Sequence, residues 1–314
     1  MLKYILLFFG LVLLSSCEKK TLNEKEILEL IHLQTGFESM ELGTDFNSSD
    51  NFIDSIKTFR KIIEKEHFKA IYKADFNNDG KEDYLINFHY QKKDKDNGIP
   101  VRILFNDIKT CALLLSNNDG YKLLNPGKRK VYDIFSSKII NYKNQNLIKL
   151  ISFKRSLDDR NDILRSDTLM IKNNQLTEFV KPHQNHKIDK IIYTLIGGYV
   201  PTTTYNLTFK KDSVFFSTKF YKKFDGKYFT TNFKNFPQLS NDLNEIDFKN
   251  LSDHYAVNGN DLPTKKIEIF FDGGKIKTIS DFGERGTLGL VNFYEKIDSL
   301  MAKQNWQPII SKID

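Results

Sequence analysis

Between Phe68 and Val180 the apolar residues come in short runs, each cut off by Asn, Asp, Gly or Lys, and that punctuation commits the region to antiparallel strands. The runs are Lys69 to Asp75, Asp83 to Tyr90, Val101 to Phe105, Thr110 to Ser116, Leu147 to Phe153 and Leu164 to Ile171. A chain with 26 Phe and 14 Tyr can cover both faces of such sheets, because aromatic side chains pack well on a pleated surface and are what disordered segments lack. The charged, turn-rich stretch Gln91 to Asn97 reads as a surface loop.

Helical signals precede this region. Asn23 with Glu26 three residues later forms a capping box, Ile27, Leu30 and Ile31 make an apolar face, and Gly36 is a terminator. A second helix follows the Ser48-Ser49-Asp50 cap, with Phe52, Ile56, Phe59 and Ile63 at helical spacing, so both helices are expected to cover the sheet. After the polar segment Lys181 to Lys187 the pattern changes. Thr203 to Phe209 and Ser213 to Tyr221 read as a hairpin, and Asp225-Gly226 as the turn into another strand. Pro237 starts a helix with Leu239, Leu243 and Ile246 on one face. The hairpin Lys265 to Ser280 turns on Asp272-Gly273-Gly274, and a closing helix from Thr287 presents Leu290, Tyr294, Ile297 and Met301. The fold class expected is α+β, two domains, each a mainly antiparallel sheet with packed helices. The first spans 18–180, a linker 181–190, and the second 191–314.

Residues 1–17 are organised differently. Lys3 supplies a positive start, Tyr4 to Leu14 is almost wholly apolar, and small residues precede Cys17. The apolar run is too short to span a bilayer, which takes about 20 such residues, and Glu18, Lys19 and Lys20 end it. Leu14-Ser15-Ser16-Cys17 resembles the bacterial lipobox, which implies cleavage before Cys17 and lipidation of its thiol, with palmitate-type acyl chains. At about 0.8 kcal/mol per buried methylene, two or three chains hold a protein on a membrane. Without an aspartate after the cysteine, the expected location is the outer membrane, facing the periplasm.

The formal charge of +7 is spread over lysines interleaved with carboxylates, which gives a solvated surface and no nucleic-acid stripe. Cys111 sits in an apolar strand pattern, and its expected role is a buried structural thiol.

One loop carries a ligand ladder. Asp75, Asn77, Asp79 and Asp83 place side-chain oxygens at positions one, three, five and nine, Lys81 offers a carbonyl at seven, and Gly80 allows the bend at six. The pattern is similar to the calcium loops of integrin-type FG-GAP repeats, which implies a structural calcium ion. The bare alternative is a polar hairpin turn, as at Asn118-Asp119-Gly120. His183 and His186 lack a nearby third ligand and read as solvated residues, and His254 beside Asp253 as structural.

In the C-terminal part, ordered elements recur: Gly198-Tyr199-Val200-Pro201 before Tyr205 to Phe209; Phe224 to Tyr228; Leu251 to Tyr255; Asp261 to Thr264; Gly274 to Asp281; and Tyr294 to Asp298. Over Ile191 to Met301 they resemble a family of domains of unknown function found in exported bacterial proteins, from which no activity carries over. Members often have a cysteine where Val200 stands. The chain has no Gly-x-Ser-x-Gly, His-Glu-x-x-His or phosphate-binding glycine loop. The function expected is a lipid-anchored envelope module that binds without catalysis, its partner an envelope protein, a glycan or a toxin. The alternative is a periplasmic hydrolase using Asp253, His254 and a distant carboxylate.

Overall fold

The computed structural model describes residues 21–44, 54–91, 107–127, 133–154, 163–198, 204–221, 224–231, 233–257 and 259–309. Residues 1–17 with Cys17, the Ser48 to Asp50 cap with Phe52, the Val101 to Phe105 run and Tyr199 to Pro201 lie outside them.

The first helix, α1 (Glu24–Thr35), begins and ends as its sequence dictates. The Asn23 side chain accepts the Glu26 N–H at 3.0 Å, Glu26 returns the bond to the Asn23 N–H at 2.9 Å, and Gly36 closes the helix at φ 71. Its buried Ile27 and Ile31 pack on an antiparallel sheet of β1 (Met40–Leu42), β2 (Ile71–Ala74), β3 (Asp83–Gln91), β4 (Asp107–Asn117) and β5 (Gly120–Leu124). In β3 the period of two divides the side chains. Tyr84, Ile86 and Phe88 face α1, while Leu85 joins Cys111, Leu113 and Leu115 of β4 on the opposite face.

A second sheet covers that face. It is the meander β6 (Asp133–Tyr142), β7 (Gln145–Lys154), β8 (Ile163–Lys172) and β9 (Gln175–Glu178). Its tight turns use Lys143-Asn144 and Asn173-Asn174, all four residues at positive φ, the geometry that matches strand twist. Phe135, Ile148, Leu150, Leu169 and Ile171 fill the space between the sheets. Behind, Phe59 and Ile63 of α2 (Asp54–Lys65), with Phe68, cover Ile151 and Phe153. The N-terminal half is therefore layered helix, sheet, sheet, helix. Cys111 is buried in this core, as its strand pattern predicts.

The C-terminal region is one eight-stranded sheet, built from β10 (Ile188–Ile196), β11 (Thr204–Lys210), β12 (Ser213–Tyr221), β13 (Phe224–Thr231), β14 (His254–Ala256), β15 (Thr264–Phe271), β16 (Lys275–Phe282) and β17 (Gln307–Pro308). Their order is β14-β16-β15-β10-β11-β12-β13-β17, and every pair is antiparallel except β14 with β16. The helices α3 (Phe236–Glu245) and α4 (Leu288–Ala302) cover one face with Leu239, Leu243, Leu290, Tyr294, Ile297 and Met301. No helix among the described residues is long and apolar enough to cross a membrane.

Two details depart from the sequence reading. Asp225-Gly226 is not the turn before β13 but lies within it, with Gly226 at φ 111 opposite Thr218, beside a shift of register. Glycine here marks an irregularity in a strand rather than a reversal. The polar stretch expected as a linker over 181–190 follows two courses: its last three residues open β10, and the preceding ones form a bonded strap described below.

Asn87 joins the two N-terminal sheets. It is buried on the inner side of β3, donates to the Lys69 and Ser137 carbonyls at 2.7 and 2.8 Å, and accepts the Ser137 N–H at 2.7 Å. Asn87→Leu leaves the buried Ser137 N–H unpaired, so a loss of about 2 to 4 kcal/mol is expected in urea unfolding of the full chain. Ser137→Ala, which keeps that backbone bond, should cost less than half as much.

Candidate functional site

The loop from Asp75 to Asp83 links β2 to β3, and its own backbone shapes it. Asp79 N–H donates to Asp75 Oδ1 at 3.1 Å and to Asn77 Oδ1 at 3.2 Å, Gly80 N–H to Asp75 Oδ2 at 2.7 Å, and Lys81 N–H to Asp79 Oδ1 at 2.8 Å. Asn78 and Gly80 take positive φ of 59 and 77, which curls the backbone around these carboxylates. Phe76 plugs the inter-sheet core, and Asn146 from the β6–β7 turn side holds the Asp75 carbonyl at 2.9 Å.

The five residues singled out from sequence do not act alike. Asp75, Asn77 and Asp79 turn their oxygens into the loop, hard donors of the kind calcium takes. Lys81 extends its ammonium to Asn118 Oδ1 at 3.1 Å. Asp83 turns away from the others: fully buried, it accepts the Phe76 N–H and the Ser116 N–H, both at 2.8 Å, and so fastens the loop to β4. Burial raises its pKa above the ordinary carboxylate value, and these two bonds act in the opposite direction. Among the described residues no group of three His, Cys, Asp or Glu side chains is placed to hold a metal ion.

The paired histidines serve the strap that enters the C-terminal sheet. His183 Nδ1 meets the Lys181 carbonyl at 3.0 Å and Nε2 meets the Asn244 carbonyl at 2.6 Å. With an acceptor at each ring nitrogen the imidazolium is favoured, and the bond to Lys181 raises the pKa most. His186 bonds Asp272 at 2.7 Å and lies edge-on to Phe248 and Phe271. Its bond holds the Asp272 carboxyl below its ordinary range. Asn244 completes the strap, accepting the His186 N–H at 2.8 Å and donating to the His186 carbonyl at 3.0 Å. Both rings make anchoring contacts; His183 remains exposed, as expected from sequence, whereas the His186 side chain is only 10% exposed.

Asp253 pairs with Lys277, which also donates to the Leu251 carbonyl at 2.6 Å, and His254 is exposed at the start of the edge strand β14. Asp253 is thus engaged in holding β14 to β16. Elsewhere in this region Asp281 is fully buried and accepts the Arg285 and Gly286 N–H groups at 2.6 and 3.0 Å. Lys265 is nearly as buried, 2.8 Å from Glu284 and 3.6 Å from Asp298, and Tyr205 donates to Asp298 at 2.8 Å. Tyr205, Lys265 and Asp281 are buried, and Asp298, 44% exposed, meets Tyr205 and Lys265 from the rim.

Sequence reasoning misses the junction between the two halves. Glu178, at the end of β9, accepts the Leu288 and Gly289 N–H groups at 2.7 and 3.0 Å, capping α4 from another sheet. Asn292 of α4 donates to the Leu176 carbonyl at 2.8 Å. A Cβ on Gly289 would come within 2.6 Å of Ile246 and 2.7 Å of Thr177 Oγ1, so glycine permits the close approach. Beside this contact a cleft of about 290 Å³ opens between the β8–β9 hairpin and the two helices. Pairs separated by more than a hundred residues create it, which is why no local pattern announces it.

Fold and site together define a β-rich protein of three mainly antiparallel sheets with few helices, stitched across its middle by side-chain to backbone bonds. Residues 198–301 match a family described as Domain of unknown function (DUF6438). No curated protein and no solved structure matches the chain. The matched segment begins just after β10, although β10 is the strand that joins β11 to β15.

His183 sets a pH dependence. Its folded pKa is raised above the ordinary 6.5, so its contribution to stability is complete below about pH 6.5 and is lost as pH rises through the folded value. The melting temperature should fall from pH 6 to pH 8.5 by a component that His183→Ala removes. Equal pH profiles for the two proteins would refute this role.

Proposed function

We propose that this chain is a lipid-anchored protein of the cell envelope, attached through Cys17 to the outer membrane and facing the periplasm, where it acts as a non-catalytic binding module. The observation that carries the reading is the apolar segment ending in Leu14-Ser15-Ser16-Cys17. The N-cap Asn23 of α1 follows Cys17 by six positions, a span of at most about 20 Å, so the folded body would stand close to the bilayer. The reading divides the body into two domains, 18–180 and 191–314; the first holds two sheets where one was expected, and the sheet of the second takes in β10 from Ile188.

Radiolabelled palmitate fed to cells expressing the protein should enter the wild-type chain and not Cys17→Ser, and an inhibitor of lipoprotein signal peptidase should leave the longer precursor. Label in neither chain would refute the anchor. Fractionation of the two membranes on a density gradient then tests the location.

The reading includes a structural calcium ion in the 75–83 loop, bound by Asp75, Asn77, Asp79 and the Lys81 carbonyl, with Asp83 as the buried brace behind them. Its support is the alternating oxygen ladder and the left-handed bend at Asn78 and Gly80. Calcium at a hundredfold excess over its Kd should stabilise the protein by about 2.7 kcal/mol relative to chelator, a gain that Asp79→Ala loses. Identical melting in calcium and chelator would reduce the loop to a turn.

A further inference from the structure

We propose that the cleft between the β8–β9 hairpin and helices α3 and α4 is a binding site for a short peptide with free termini. The inference rests on reading the chain as a binding module and not on its lipidation.

Four ionised groups stand around this one cavity, contributed by three elements. Lys172 of β8 reaches Glu245 of α3 at 3.1 Å, and Lys296 of α4 pairs with Asp242 of α3. The charges balance, two of each sign, so the cleft offers carboxylates to an ammonium and ammoniums to a carboxylate. Partly exposed pairs of this kind contribute little to stability, and a ligand terminus can replace one partner at small net cost. Asp242 is only 17% exposed, and burial raises its pKa despite Lys296, so an incoming ammonium would meet an under-solvated carboxylate.

The rest of the lining suits a peptide backbone. Gln175 from the hairpin and Gln238 from α3 line the cleft, and each carries an amide able to donate and accept. The floor is already set, because Glu178 fixes the start of α4 and Gly289 brings that helix against Ile246 and Thr177. A site that needs no ordering on binding retains more of its interaction energy as affinity. Its size, about 290 Å³, lies at the small end of the range for ligand pockets, and its place at the junction of two packed units is where such sites recur. A neutral saccharide has no charge to exchange with the two pairs, and a polyanion would face Asp242 and Glu245.

Titration calorimetry on the full-length protein in detergent, at low salt, tests the assignment with trialanine as probe. Trialanine with free termini should bind at least tenfold more tightly than its acetylated, amidated form. Glu245→Gln and Lys172→Met should each weaken it about tenfold, with unchanged melting temperature showing that the fold is intact. Should either variant melt early, Gln238→Ala, on the exposed turn of α3, serves as the check and should weaken trialanine severalfold. Equal binding of free and capped peptide, binding that survives all three substitutions, binding of maltotriose in preference to peptide, or no heat with any probe would overturn the proposal. A wild-type chain that takes up no palmitate yet binds trialanine would refute the anchor and leave this site standing.

Discussion

The arrangement of the two halves depends on Glu178. A helix leaves its first N–H groups without internal partners, and a buried helix start must find acceptors for them. Helix α4 has one of its own in Thr287, whose hydroxyl accepts the Leu290 N–H at 3.2 Å. The two donors before it, Leu288 and Gly289, are met by a carboxylate more than a hundred residues away in sequence, which also places negative charge at the positive end of the helix. Gly289 must then be small, Asn292 falls opposite the Leu176 carbonyl, and Leu288 packs at the edge of the N-terminal inter-sheet core. On the far side of α3 the strap from Lys181 to Lys187 is held through Asn244. The cleft owes its shape to being bounded by these fixed contacts.

A common rule governs the polar groups inside the sheets. Asp83, Asn87 and Asp281 are each buried, and each uses its side-chain oxygens on the backbone N–H groups of a loop or neighbouring strand. A covered sheet face leaves no water to serve such groups, so each must be satisfied internally. For both aspartates burial pushes the pKa up while the N–H bonds favour the ionised form. The apparent excess of acidic residues at the 75–83 loop is thus partly architectural: one carboxylate of the set belongs to the core.

Local chemistry made some of this legible in the sequence. The capping box of α1, the Pro237 start of α3, the Thr287 cap of α4 and the Asp272-Gly273 reversal all depend on residues within a few positions of one another, and all stand where the sequence places them. Strand β6 is not legible because Ser136, Ser137 and Lys138 interrupt its apolar pattern, and Ser137 and Lys138 are met by Asn87 and Glu66 from other elements. Asp225-Gly226 carries the composition of a turn yet sits in a strand, since glycine serves an irregular pairing as readily as a reversal. The anchoring of the two histidines is not legible because their partners, the Asn244 carbonyl and Asp272, lie 61 and 86 positions away. Asp83 looked like a ligand because sequence gives the spacing of side chains but not which way they point.

The position of β10 bears on where a self-sufficient unit begins. The family segment starts at residue 198, but the strand before it lies between β11 and β15 and is hydrogen-bonded along both edges. Cut at 198, the sheet would fall into a β11-β12-β13-β17 ribbon and a β15-β16-β14 ribbon, each with a raw edge facing the other. Because β10 runs antiparallel to both neighbours, those two edges are parallel to each other and could rejoin only in a different hydrogen-bond pattern. An excised segment would carry two sticky borders prone to pairing between molecules. The smallest piece with a closed sheet centre starts at or before Ile188, which makes the strap and the first strand part of the unit's architecture rather than its lead-in.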